Sequence, residues 1–143
     1  MKIDYSCIEG VSYEPKQHSA DALGYDLCAT ELERIDRFDI KTIKTGIVLD
    51  PPFNVGFILC IRSGLAKQGL MLMNGVGIID PDYRGEVMMM VTNISKNPIV
   101  IKPGDRVGQL IPYKAIDDNE ITFEYTEMVS TTKRNTGGFG STG

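Results

Sequence analysis

Histidine and cysteine are scarce in this 143-residue sequence, and their positions exclude several kinds of site. The single histidine, His18, and the three cysteines lie far apart, and no Cys-x-x-Cys pair is present, so a zinc site of recognised spacing is excluded. With one histidine, a histidine-based catalytic triad has little support. We expect His18 to be a surface residue, and Cys7, Cys28 and Cys60 to be buried free thiols.

The sequence also lacks a surplus of positive charge and any long hydrophobic run. Its formal net charge is -4 and its pI is about 5.0, which argues against the basic surface of a nucleic-acid-binding protein. No apolar run is long enough to span a bilayer, and the N-terminus has no signal-peptide core. We therefore expect a cytoplasmic protein with no nucleic-acid partner and no membrane partner. Any polyanionic ligand must be small and neutralised locally by arginines or a metal ion.

A sustained helical period is missing as well. Short apolar runs between Gly, Pro, Asn and Asp clusters instead predict an all-β domain over residues 1–132. One very short helix is expected over residues 63–67. Continuous apolar runs at residues 55–61 and 87–91 require cover on both faces, as a closed barrel or a two-sheet jelly roll provides. The predicted strands cover residues 2–6, 24–29, 39–49, 55–61, 71–74, 76–79, 87–93, 99–101, 107–113 and 121–125.

Two common nucleotide-binding motifs are matched only in part by this sequence. Residues 64–69 begin like a phosphate-binding P-loop, but Leu70 and Met71 stand where Lys and Ser or Thr are required. Residues 75–80 begin like a dinucleotide fingerprint, yet Asp80 replaces its last glycine and no crossover helix follows. The zinc-deaminase signature is absent. The remaining chemistry is that of carboxylates, hydroxyls, amides and arginines, which suits Mg²⁺-assisted phosphoryl transfer or hydrolysis.

Residues 74–86 form the stretch that most resembles a site. An apolar strand runs into Asp80, Asp82 and Tyr83, with glycines on both sides that let the backbone approach a ligand. Considered alone, the same residues also suit an ordinary β-hairpin. The methionine run at residues 88–90 has two equally supported interpretations, a methionine-filled core or a surface covered by identical subunits.

The last eleven residues, 133–143, are rich in glycine and hydroxyl side chains and contain a single aromatic ring. Such a segment cannot bury enough surface to hold itself in place, so it is expected to form a flexible Gly-rich arm. A frayed terminus is the usual interpretation. The arrangement of an arginine, a ring and two hydroxyls would alternatively suit closure over a phosphorylated planar ligand.

Five separated segments, taken in order, resemble the trimeric deoxyuridine triphosphate nucleotidohydrolases (dUTPases). Two are Ala-Leu-Gly-Tyr-Asp-Leu at residues 22–27 and Arg-Ser-Gly-Leu-Ala at residues 62–66. The third is residues 74–86, the fourth is Gly-Asp-Arg-Val-Gly-Gln-Leu-Ile at residues 104–111, and the fifth is the tail from residue 134. The resemblance implies a jelly-roll β-barrel, a homotrimer with shared active sites, and Mg²⁺-dependent hydrolysis of dUTP to dUMP and pyrophosphate.

The resemblance also implies a role for particular residues. Asp80 would be the general base that activates water, and Asp26 would hold Mg²⁺ through water molecules. The tail would act as a lid that excludes water. The residues implied to contact the base and sugar are Asn74, Gly77, Ile78, Ile79, Tyr83, Met88 and Phe139. Those implied to contact the phosphates are Arg62, Ser63, Gly64, Gln109, Arg134, Ser141 and Thr142.

The sequence departs from common versions of the family at several positions, including Leu23, Ile61 and Gly108. Leu23 and Ile61 are interpreted as packing variation. Two other functions are considered beside the dUTPase: a dCTP deaminase or bifunctional relative on the same fold, and a dUTP-binding regulatory protein with an unidentified protein partner. The Asp80 hairpin and the complete tail favour the dUTPase over the deaminase.

Overall fold

The computed structural model describes residues 1–115 and 121–132 of the chain. These residues form ten β-strands and one short helix, α1, which spans Ser63–Gln68. The strands are β1 Asp4–Cys7, β2 Tyr25–Cys28, β3 Glu33–Ile35, β4 Ile40–Asp50, β5 Val55–Ile61, β6 Leu70–Leu72, β7 Gly77–Ile79, β8 Glu86–Asn93, β9 Ile99–Ile101 and β10 Arg106–Lys114.

Two four-stranded antiparallel sheets make up the jelly-roll barrel. The first has the strand order β1-β4-β8-β6 and the second has the order β2-β10-β5-β7, while β3 and β9 form a separate pair. The core lies between the sheets because alternate residues of each strand point inward. Leu59 and Leu110 from the second sheet join Ile43, Val87 and Met89 from the first in one buried cluster.

The exposed face of the first sheet is unusually apolar. Within β8, Met89 is fully buried, but Met88 and Met90 keep 42% and 48% of their surface exposed. The expectation that protein covers both faces of this strand is therefore not met within one chain. Further exposed apolar side chains lie on the neighbouring strands β4 and β6 and directly after β6. We call this set the outer methionine face: Ile40, Met71, Met73, Met88 and Met90.

Two predictions about single segments were wrong. Residues 121–125 form no strand, and every residue of the described segment 121–132 is exposed. The alternation of apolar side chains is present there, but no strand within residues 1–115 and 121–132 pairs with it. Cys7 is exposed rather than buried, and Cys28 and Cys60 are only partly buried. The strand β3 was not predicted, because it is only three residues long, Glu33–Ile35, and too polar to form an apolar run.

Helix α1 was predicted over residues 63–67 and is present over Ser63–Gln68. Gly69 ends it in the left-handed conformation with φ of 95°, and its N–H donates to the carbonyls of Leu65 and Ala66. Because a helix needs many more apolar residues to cross a membrane, no helix in residues 1–115 and 121–132 qualifies as a membrane span.

Candidate active site

Asp26 lies at the centre of a cluster of hydrogen-bond donors on the second sheet. It is in β2 and only 4% exposed. Its Oδ1 accepts a hydrogen bond of 2.9 Å from Gln109 Nε2 and lies 3.3 Å from Arg62 Nε. Its Oδ2 accepts one of 3.2 Å from Arg106 Nη1 and lies 3.5 Å from His18 Nε2. A buried carboxylate is tolerated because these groups compensate for its lost hydration.

The sheet register explains why these side chains meet. Gln109 in β10 lies opposite Asp26 in β2 and opposite Cys60 in β5, so the three side chains share one face. Arg62 is two residues beyond Cys60 and projects from the same face. Gly24 leaves space for Gln109, since a Cβ at Gly24 would stand 3.2 Å from the Gln109 Cβ. The register therefore brings the segments that carry Asp26, Gln109 and Arg62 together within one chain.

The charge of Asp26 also affects a neighbouring thiol. Burial raises the pKa of Cys28, and the nearby Asp26 carboxylate raises it further, although Arg106 and Arg62 act in the opposite direction. Cys28 is therefore protonated at neutral pH and is a poor nucleophile.

The donor set fits a magnesium ion that arrives with a phosphate ligand. Among the residues that the structure describes, no group of three or more His, Cys, Asp or Glu side chains could hold a metal ion. The cluster instead offers one carboxylate, Asp26, and two arginines whose positive charge could balance that of a phosphate group. Mg²⁺ commonly binds proteins in this way, through one or two carboxylates, several waters and the oxygens of its phosphate ligand.

Ser63 and Gly64 form the first turn of α1, directly after Arg62. Both are exposed, and no atom lies within 4 Å of a Cβ placed on Gly64, so a ligand has open access to this backbone. Of the predicted phosphate-binding residues, Arg62 and Gln109 contact Asp26, and Ser63 and Gly64 follow Arg62 directly in the chain.

A second feature is a cavity of about 200 Å³ at the connection between β7 of the second sheet and β8 of the first. Asp80 lies on its wall, and its carbonyl accepts a hydrogen bond of 3.2 Å from Tyr83 N, which closes the turn around Pro81. The Tyr83 hydroxyl donates to the Glu86 carbonyl at 3.0 Å, which fixes the ring. The lining residues are Ile78, Ile79, Asp80, Tyr83, Glu86, Val87 and Met88.

Two residues that line the cavity, Glu86 and Val87, are hydrogen-bonded to β4. These bonds occur where the pairing of β4 with β8 is irregular, between Lys44 and Val48. The Thr45 hydroxyl donates to the Val87 carbonyl, and the Glu86 side chain accepts a hydrogen bond of 2.8 Å from Gly46 N. Gly46 has φ of 69°, a conformation suited to glycine.

The predicted hairpin over residues 74–86 is not formed, because β7 pairs with β5 in the second sheet whereas β8 pairs with β4 and β6 in the first. The connection between the two sheets nevertheless brings Ile78, Ile79, Asp80, Tyr83 and Met88 to one cavity. Asn74 and Gly77 do not line the cavity. Asn74 is exposed in the turn before β7, and its carbonyl accepts a hydrogen bond of 2.8 Å from Val76 N. Gly77 is buried, and a Cβ at this position would stand 3.1 Å from the Leu59 Cβ.

The two features lie far apart within one chain. Strands β2 and β7 are opposite edges of the second sheet, with β10 and β5 between them. Ile79 pairs with Phe57 near the start of β5, whereas Arg62 follows the end of that strand. At about 3.3 Å per residue, Asp80 and Arg62 are separated by roughly 20 Å along β5. One chain therefore does not assemble all the predicted groups around one ligand.

Sequence reasoning missed four residues at these sites. Arg106 and His18 contact Asp26, and Glu86 and Val87 line the cavity. The Arg106 contact could have been anticipated, because Arg106 is three residues before Gln109 in the same segment. His18 lies in a loop whose position no sequence pattern indicated. The expected tail contacts of Phe139, Arg134, Ser141 and Thr142 lie outside the described residues, as does the expected flexible arm.

Comparisons with known proteins agree on one family. The family model described as dUTPase matches residues 12–143. A deoxyuridine 5'-triphosphate nucleotidohydrolase from Desulfitobacterium hafniense is 40% identical over 148 residues, which cover 100% of this chain and 95% of that protein. The crystal structure of dUTPase from Streptococcus mutans has 30% identity and a TM-score of 0.72, covering 78% of this chain and 95% of that chain.

A Staphylococcus bacteriophage 80alpha dUTPase mutant, solved with dUpNHpp, has a TM-score of 0.84 at 19% identity, covering 99% of this chain and 98% of that chain. At this identity the likeness concerns the fold alone. The family model and the Desulfitobacterium relative decide the assignment, since both extend over nearly the whole chain. The chain belongs to the dUTPase family, a family of nucleotide hydrolases.

Proposed function

We propose that this hydrolase converts dUTP to dUMP and pyrophosphate, with Asp80 as the general base for water attack on the α-phosphorus. Asp80 is an exposed carboxylate on the wall of a cavity that also presents a tyrosine ring and apolar side chains. That juxtaposition carries the proposal, because a general base must stand beside a bound substrate and remain open to water. The reaction lowers dUTP and supplies dUMP for dTMP synthesis.

The cavity suits one small planar base. Its volume of about 200 Å³ is below the roughly 300–1,000 Å³ of sites for drug-sized ligands. The backbone of Ile78 and Ile79 reads the uracil edge from the cavity wall, while Tyr83 lies against the deoxyribose and Met88 borders the pocket. Asn74 and the Gly77 backbone, which precede the lining residues in the chain, would read the same edge from outside that lining. A site that hydrogen-bonds one base edge leaves its own polar groups unpaired with a wrong base, which discriminates by about 10⁴–10⁵.

The triphosphate binds at the Asp26 cluster. Arg62, Ser63, the Gly64 backbone and Gln109 contact phosphate oxygens, which is supported by the convergence of Arg62 and Gln109 on Asp26. Asp26 holds Mg²⁺ through water, and the ion, when bound, neutralises phosphate charge and orients the triphosphate. In the tail, Phe139 stacks on uracil while Arg134, Ser141 and Thr142 close over the outer phosphates.

We further propose that the enzyme is a homotrimer with shared active sites. The separation of about 20 Å between Asp80 and Arg62 supports this arrangement, because a neighbouring copy can bring its Asp80 and the cavity beside it to the Asp26 cluster of the first copy. The outer methionine face supplies apolar surface for such contacts. The three unpaired cysteines suit a reducing compartment, so the proposed location is the cytoplasm.

The proposal is tested by replacing separately the two carboxylates in the connection between β7 and β8, Asp80 and Asp82. Asp80→Asn should slow pyrophosphate release from dUTP at least about 10²-fold, because the amide cannot accept the proton of water. Asp82→Asn is the matched control, since Asp82 is exposed two residues away and is not among the cavity-lining residues. Unchanged turnover of the Asp80 variant defeats the assignment of the base. Tight dUTP binding by the unmodified protein without hydrolysis would instead favour a regulatory protein.

A further inference from the structure

The ring of Tyr83, which is proposed to lie against the deoxyribose, is held along one side and at its tip. A Cβ at Gly85 would stand 2.5 Å from the Tyr83 Cζ, so the ring packs directly on the backbone of that glycine. The Tyr83 hydroxyl donates to the Glu86 carbonyl at 3.0 Å. The side chain still lines the cavity beside Asp80 and is 42% exposed, so a ligand can reach it. The position of the ring therefore depends on the position of the Glu86 carbonyl.

Glu86 is fixed in turn by its own side chain. It is half-buried at the start of β8, where the pairing of β8 with β4 is irregular between Lys44 and Val48. Its Oε1 accepts a hydrogen bond of 2.8 Å from Gly46 N within that irregularity. Such an irregularity takes residues out of the regular ladder, and here a side chain supplies the hydrogen bond. Without the carboxylate, the N–H of the buried Gly46 would lose this acceptor.

Gly46 is itself held from its other side. Its φ of 69° suits glycine, and its carbonyl accepts a hydrogen bond of 2.8 Å from Ile8 N. A Cβ at this position would stand 2.6 Å from the Val11 Cγ2, so the side chain of Val11 packs closely against the glycine. Gly46 is therefore a fixed point to which the Glu86 side chain is anchored, and the Glu86 carbonyl in turn anchors Tyr83.

We propose that Glu86 is a positioning residue that maintains the discrimination between deoxyribose and ribose by holding Tyr83, and this proposal rests on the proposed function. A ring that shifts away from the sugar loses contact with dUTP and opens room for the 2′-hydroxyl of UTP. Both effects lower the ratio of kcat/KM for dUTP to kcat/KM for UTP. Because the sugar contact is made before the chemical step as well as during it, the loss with dUTP falls on KM rather than on kcat.

The experiment replaces the groups at both ends of this link. Glu86→Leu removes the acceptor for Gly46 N, whereas Glu86→Gln removes the charge but keeps an oxygen acceptor at the same reach. Glu86→Asp keeps the charge on a shorter side chain, and it gives the same test if the leucine variant does not fold. Tyr83→Phe keeps the ring and removes the hydroxyl donor. The kcat and KM of pyrophosphate release from dUTP and from UTP are measured for each variant and for the double variant Glu86→Leu, Tyr83→Phe, and thermal unfolding shows that each is folded.

The leucine, aspartate and phenylalanine variants should each lower the dUTP-to-UTP ratio of kcat/KM about fivefold, the effect of one ordinary hydrogen bond. For the two Glu86 variants the loss should appear as a raised KM for dUTP. Glu86→Gln should keep the ratio within about twofold, and the double variant should lose no more than either single variant, because both changes break the same link.

An unchanged ratio in the Glu86 variants or in Tyr83→Phe, equal losses in the glutamine and leucine variants, or additive losses in the double variant would overturn the role of Glu86. Absence of pyrophosphate release from dUTP by the unmodified protein would overturn the proposed function instead.

Discussion

Gly108 and Met89 share one small space inside the barrel. Gly108 departs from common versions of the family, and the structure supplies a reason. A Cβ at this position would stand 2.6 Å from the Met89 Sδ and 3.2 Å from the Cys60 carbonyl oxygen. Met89 is fully buried and fills the volume that the glycine leaves. The departure is therefore a matter of packing.

Gly108→Ala should lower the free energy of unfolding by about 1–3 kcal/mol, the cost of inserting a methyl group into a packed core. Denaturant titration measures the change. Gly64→Ala provides the control, because nothing lies within 4 Å of its added Cβ and alanine favours a helix. Shortening the neighbour in the double variant Met89→Val, Gly108→Ala should recover part of the loss. Equal stability of the Gly108 and Gly64 variants would contradict this explanation.

Individual site residues were predictable where they belong to short, recognisable sequence motifs. Asp26, Arg62 and Gln109 were assigned from separated segments, and the structure places Gln109 Nε2 2.9 Å and Arg62 Nε 3.3 Å from the Asp26 Oδ1. The prediction that His18 is a surface residue is confirmed, since its side chain is exposed. Its proximity to Asp26 was not predictable, because that proximity depends on the path of a loop. A lone histidine among polar neighbours has no sequence pattern that distinguishes a ligand contact from a surface position.

Asn93, at the end of β8, joins three separate elements. Its amide nitrogen donates to the Ile35 carbonyl at 3.0 Å and the Asn97 carbonyl at 2.8 Å. Its side-chain oxygen accepts hydrogen bonds from the backbone and hydroxyl of Ser95, at 2.8 and 2.7 Å. Since Asn93 is fully buried, all four contacts take the place of water. This residue ties β3 and the loop before β9 to the first sheet.

Asn93→Ala should destabilise the fold by about 2–4 kcal/mol, because it leaves buried carbonyls without a donor as well as opening a small void. Thermal and denaturant unfolding measure this loss. Ser95→Ala serves as a comparison, since it removes only the hydroxyl contacts and should cost about 1 kcal/mol. A cost for Asn93→Ala no greater than that of Ser95→Ala would show that Asn93 does not tie these elements together.

Strands with strong apolar runs were predictable and others were not. Val55–Ile61 and Ile99–Ile101 match their predicted bounds, because turn residues flank a clear β-branched or aromatic run. Residues 121–125 have the same alternation but no pairing partner within the described chain. A strand exists only where a second strand accepts its backbone hydrogen bonds, and a local pattern does not encode that partner.

The distance between the Asp26 cluster and the cavity beside Asp80 leads to a prediction about the whole molecule. If each active site takes Asp80 from one subunit and Arg62 from another, two inactive variants should complement each other in a mixed trimer. Asp80→Asn and Arg62→Gln proteins, unfolded together at equal concentrations and refolded, should regain roughly a quarter of the unmodified activity, as random mixing into symmetric trimers predicts. Each variant refolded alone is the control. Sedimentation should give a trimer, and no recovered activity in a mixed trimer would place both residues in a site within one chain.

The central claim is the reaction itself, and one assay tests it most directly. Pyrophosphate release is measured with Mg²⁺ for dUTP, UTP, dTTP and dCTP under identical conditions. The proposed site predicts rapid release from dUTP and rates lower by several orders of magnitude for the others, since UTP adds a 2′-hydroxyl against Tyr83, dTTP adds a methyl group, and dCTP presents the wrong base edge. Comparable release from all four nucleotides, or ammonia release from dCTP, would contradict the assignment.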